Sequence, residues 1–67
     1  MAQLKDDIKL VLMALEEAGL HHRKNFGRMA EIVIRILGIR QLNQFFGTAT
    51  KQQCYQETEY YIYNHLY

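Results

Sequence analysis

Apolar residues recur at intervals of three and four along most of this 67-residue chain, and glycines interrupt the pattern at 19, 27, 38 and 47. In LKDDIKLVLMALEEAG, residues Leu4, Ile8, Val11, Leu12 and Leu15 share one face of a 3.6-residue repeat. Asp6 and Asp7 suit the positive first turn of that helix, and Gly19 ends it. Glu16 and Glu17 stand at the unfavourable end of its dipole, as an exposed or partner-compensated terminus would have them.

After LHHRKN, the segment FGRMAEIVIRILG repeats the helical period. Asn25 is the natural cap, and Phe26, Met29, Ala30, Val33, Ile36 and Leu37 form the stripe expected to face the core. Ile32 and Ile34 fall on its two flanks, so the apolar arc is wide enough for a central helix with several neighbours. The β-branched run EIVIRI favours a strand locally. The longer pattern from Phe26 to Leu37 outweighs it.

Gly38 then separates a short helix, IRQLNQFF, with Ile39, Leu42 and Phe46 on one side and Phe45 beside them. Thr50 followed three positions later by Gln53 has the form of a reciprocal N-terminal cap, with Thr48 a competing start. The last helix runs through QQCYQETEYYIYNHL. The expectation is an all-α single domain over residues 1–67, an irregular bundle of four helices at about 4–18, 26–37, 39–46 and 51–66, the third short.

All five tyrosines lie in the last thirteen residues. Cys54, Tyr55, Thr58, Tyr61, Ile62 and Leu66 occupy the expected core face of the last helix. Tyr60, Tyr63 and Tyr67 make a second stripe at spacings of three and four, and Glu57 and Asn64 mark the solvated edge. Tyrosines can lid a thin core with their hydroxyls in water, or supply large rigid contact area to another protein. A chain this small has little interior to hide two faces of one helix. Tyr60, Tyr63 and Tyr67, with Ile32 and Ile34, are therefore the candidate protein interface, serving a homodimer or another protein.

Charge adds little direction. Eight basic and seven acidic side chains leave a formal charge of +1, which gives no bulk attraction to nucleic acid or anionic lipid. The concentrated basic stretch is HHRKNFGR, where Arg23, Lys24 and Arg28 could meet phosphate. Gln41, Asn43 and Gln44 on the third helix could reach base edges if the Gly38 turn were a helix-turn-helix. That helix carries a single arginine, so phosphate neutralisation is weak there. DNA binding through residues 21–28 and 39–46 is the alternative to protein binding.

No constellation announces catalysis. The chain has no serine, the acidic pairs are adjacent and diverge around their helix, and neither CxxC nor HExxH occurs. Cys54 and His65 lie about 16 Å apart along one helix and cannot share an ion there. No metal, cofactor, catalytic residue or small-molecule substrate is expected. Cys54 is the one cysteine, and the acidic opening segment lacks the basic start of a secretory signal. EIVIRIL is too short and charged to span a bilayer, so the expected setting is cytoplasmic.

Overall fold

A computed structural model describes residues 3–19 and 25–66, the side chains of Gln3 and Leu66 excepted. Four helices follow one another: α1 (Gln3–Glu17), α2 (Phe26–Leu37), the short α3 (Ile39–Phe46) and α4 (Lys51–Leu66). No strand forms among the described residues, and EIVIRI is helical. α2 is the centre of the bundle: it packs on α1, α3 and, most extensively, α4, while α3 also packs on α4.

The core takes Ile8, Leu12 and Leu15 from α1, and Leu42 from α3. α4 contributes Cys54, Thr58 and Ile62. From α2 come Met29, Ala30, Val33 and Ile34, an arc about 140° wide at 100° per residue. This corrects two expectations for α2. Ile34 is not on an outward flank but is 6% exposed inside the chain's own core, so it offers no area to a partner; Ile36, placed in the core stripe, is 61% exposed. Three helices pack on α2, and their combined cover is centred nearer Ala30 than Met29. Ile36 falls just beyond the Met29 edge of that arc and near the end of α2, whereas Ile32, farther round the helix but a turn nearer its middle, is half-buried against the core.

The connections explain the sharp shape. Gly38 is the whole joint between α2 and α3, at φ 92° and ψ 140°. Its N–H closes α2 onto the Ile34 carbonyl at 2.8 Å, and its own carbonyl accepts from the Leu42 N–H at 3.2 Å. A side chain would strain a backbone in that region, which is essentially reserved for glycine. At the far end of α3, Gly47 is left-handed, and the Thr48 N–H returns to the Asn43 carbonyl at 2.9 Å.

α4 begins with the expected cap. Thr50 Oγ1 accepts from the Gln53 N–H at 3.1 Å, and Gln53 Oε1 reaches back to the Ala49 N–H at 3.0 Å, one residue beyond the usual capping-box partner. The expected cap at Asn25 does not form. Asn25 sits at φ −114° and ψ 25°, outside the extended conformation that aims a capping oxygen at the first amides, and its side chain makes no capping bond. α2 has no acidic residue of its own in its first turn. Instead a neighbouring helix brings one: Glu59 Oε2 lies 3.8 Å from where a Cβ on Gly27 would stand. Its charge faces the positive end of α2.

Candidate functional site: the aromatic face of α4

α4 is buried on one side and aromatic on the other. Cys54 and Ile62 are fully enclosed, and Thr58 is enclosed with its hydroxyl donating to the Cys54 carbonyl at 2.7 Å. Outward from this seam the tyrosines divide according to which neighbour they meet.

Tyr55 turns toward α2. It comes within electrostatic reach of Glu31, which pairs with Arg35 at 4.0 Å. Desolvation, then the Glu31 carboxylate, push the Tyr55 phenol above its ordinary range. Tyr61 turns toward the end of α3, edge-on to both Phe45 (5.9 Å, 77°) and Phe46 (5.9 Å, 60°), which are edge-on to each other at 5.1 Å. On its other side the His65 ring lies nearly parallel to it, 7° apart in plane at 6.2 Å. Tyr63, though 51% exposed, stands against Phe26 at the start of α2.

Tyr60 is different. It is 62% exposed and stacks on no described ring. With Phe46, Glu57, Tyr61, Asn64 and His65 it lines an open groove of about 410 Å³ along the outer face of α4. The stripe proposed from spacing is thus divided: Tyr63 leans over α2, Tyr60 belongs to the groove, and Tyr67 lies outside the described residues. The remaining interface candidate, Ile32, is half-buried against the core.

The groove itself escaped the sequence reading. Helical spacing places Tyr61 on the core face and Glu57 and Asn64 at the solvated edge, and nothing within α4 marks Phe46 as the opposite wall. The signal for it is the FF pair immediately before Gly47, which has to return alongside α4 through a four-residue connection.

The nucleic-acid candidates are scattered in role. Arg23 and Lys24 lie outside the described residues, and Arg28 is exposed. Gln41 is exposed and donates to the Leu37 carbonyl at 3.0 Å; Gln44 is exposed. Asn43 is half-buried and its side-chain oxygen accepts from the Thr48 hydroxyl. The single-residue joint at Gly38 is shorter than the three- or four-residue turn of a helix-turn-helix.

Cys54 is a free, buried thiol, and desolvation raises its pKa against a smaller opposing effect of Thr58. Among the described residues no three His, Cys, Asp or Glu side chains converge as a metal site would require. Nor is any described helix long and apolar enough to cross a membrane. Comparisons with protein-family models, curated proteins and solved structures gave no match to this chain. What defines the molecule is its own geometry: a four-helix bundle whose last helix carries an aromatic groove on its outer face.

Proposed function

We infer that the chain is a small protein-binding regulator or accessory subunit acting through the outer aromatic face of α4. The observation that carries this reading is Tyr60, a large ring 62% exposed on a helix whose opposite side holds Cys54 and Ile62 at 0%. An exposed tyrosine on a rigid, well-anchored helix gives contact area at little entropic cost and keeps a polar handle for the partner. The role is binding, without catalysis or a cofactor. A cytosolic setting goes with it, since a lone thiol at Cys54 calls for no oxidising compartment.

Self-association is the first form this binding takes: a twofold pairing would cover Tyr60 on both copies at once. Sedimentation at high micromolar concentration tests it, with a cooperatively folded 8.0 kDa species counting against the dimer. Capture of a partner by the wild-type chain but not by a folded Tyr60→Ser variant supports the wider reading. Equal capture by both removes Tyr60 from it. Micromolar binding to random duplex DNA that falls steeply with salt would replace protein binding by the nucleic-acid alternative.

A further inference from the structure

We propose that the groove on α4 receives a cationic side chain, arginine or lysine, projecting from a segment of the protein partner. This rests on the protein-binding reading above and states what chemistry the partner presents.

The groove's composition carries the inference. Its walls include the rings of Phe46, Tyr60 and Tyr61, and no lysine or arginine lines it. Aromatic faces are electron-rich and attract cations laid over them. The one carboxylate in the lining is Glu57, which forms no ion pair with another described residue. Glu57, Tyr60, Tyr61, Asn64 and His65 follow one another at helical spacings, so the carboxylate and the rings open on the same side. Phe46 closes the far wall, and its edge-on contact with Tyr61 fixes the angle between the two rings.

Arginine and lysine match this arrangement along their whole length. Their methylene stems lie on apolar surface while the charged head reaches a carboxylate. A neutral or acidic side chain matches only half of it, because Glu57 would then be left without a counter-charge or would be opposed by a like one. Arginine is the better fit, since its planar guanidinium both stacks on rings and bonds a carboxylate.

The test uses the isotope-labelled full chain and two short capped peptides, glycine-arginine-glycine and the same peptide with citrulline. Citrulline keeps the shape of arginine and loses its charge. The arginine peptide is expected to give saturable amide shifts at millimolar concentration, centred on Glu57, Tyr60, Tyr61 and His65, with the citrulline peptide at least about fivefold weaker. Glu57→Gln should weaken the arginine peptide by about threefold or more. Tyr60→Leu, which keeps apolar area and removes the ring face, should weaken it about threefold. Glu17→Gln, at the end of α1, should leave it unchanged.

Equal affinity for arginine and citrulline, or shifts confined to surfaces away from the groove, would overturn the proposal. So would an absence of shifts, or unchanged affinity in both groove variants. Each of these outcomes leaves the wider reading standing if Tyr60→Ser still abolishes partner capture. Loss of that reading would show instead as capture unaffected by Tyr60→Ser.

Discussion

The rings of Phe26 and Tyr63 stand edge-on, with centroids 5.6 Å apart and planes 81° apart, joining the start of α2 to the last turns of α4. Two tyrosines three residues apart on one helix therefore do different work. Tyr63 ties helices together, while Tyr60 meets no described ring. Tyr63→Ala is expected to cost about 1–2 kcal/mol of stability, the edge-on pair plus some lost apolar cover. Tyr60→Ala should stay within about 0.5 kcal/mol. Urea unfolding of the two single variants checks this, and equal losses would mean that Tyr60 is also part of the packing.

Two glycines should respond in opposite directions to the same substitution. Gly27 lies within α2, and a Cβ there would meet Glu59 Oε2 at an ordinary 3.8 Å. Gly27→Ala should stabilise by about 0.5–1 kcal/mol by restricting the unfolded chain and raising helix propensity. A Cβ on Gly38 would meet nothing within 4 Å, yet its φ of +92° strains any other residue. Gly38→Ala should cost about 1–3 kcal/mol through backbone strain alone. Thermal melts of the pair separate conformational from steric effects.

Thr58 is 1% exposed and its hydroxyl donates to the Cys54 carbonyl. That carbonyl lies within α4, where the Thr58 N–H also reaches it, so the hydroxyl bond is an addition to an already satisfied acceptor. Thr58→Val should be within about 0.5 kcal/mol of the parent or more stable, because shape is kept and no partner is orphaned. Thr58→Ser, which keeps the hydroxyl and loses a buried methyl, should cost about 1 kcal/mol. Chemical denaturation that reversed this order would show that the hydroxyl matters more than the methyl.

Alkaline pH should weaken the fold in two stages. Burial favours the neutral Cys54 thiol, raising its folded pKa above the ordinary 9.0. Its contribution is full below pH 9.0 and declines as the pH rises toward the folded value, because only the unfolded chain then releases the proton readily. Tyr55 adds a second decline starting at its ordinary 10.0, for the same reason and with Glu31 reinforcing it. Stability measured from pH 8 upward should fall with a slope that is smaller between 9.0 and 10.0 in Cys54→Ala. In native buffer the thiol should react with a disulfide reagent at least a hundredfold more slowly than in denaturant, since attack requires an opening of the bundle.

Local chemistry made the helices readable before the fold was known. Gly38 and Gly47 bound α3 at the expected residues, and Thr50 and Gln53 form the cap that their spacing implied. What eluded the sequence depended on neighbours from elsewhere in the chain. Whether Ile34 or Ile36 is enclosed turns on the angle at which three helices meet α2, and no periodicity within α2 encodes that angle. Asn25 had a capping side chain but not a capping backbone, and the acidic charge at that helix end comes from Glu59, more than thirty positions away. A helical projection separates Tyr55 and Tyr61 from Tyr60 and Tyr63 but does not tell the members of each pair apart. Phe26, Glu31 and Phe45 give them separate partners.

The dependence of α1 on α2 makes the molecule unequal in time. α1 joins the rest chiefly along one seam, where Ile8, Leu12 and Leu15 enter the core, whereas α2 and α4 are each held from more than one side. Lifting α1 breaks that seam and leaves the contacts between α2, α3 and α4 in place. The backbone amides of α1 should therefore exchange with deuterium sooner than those around Val33 and Thr58, which open only when the remaining helices separate. Each such excursion briefly uncovers the side of α2 that α1 normally conceals. The lifetime of that face in water is set by the three aliphatic side chains that pull α1 back.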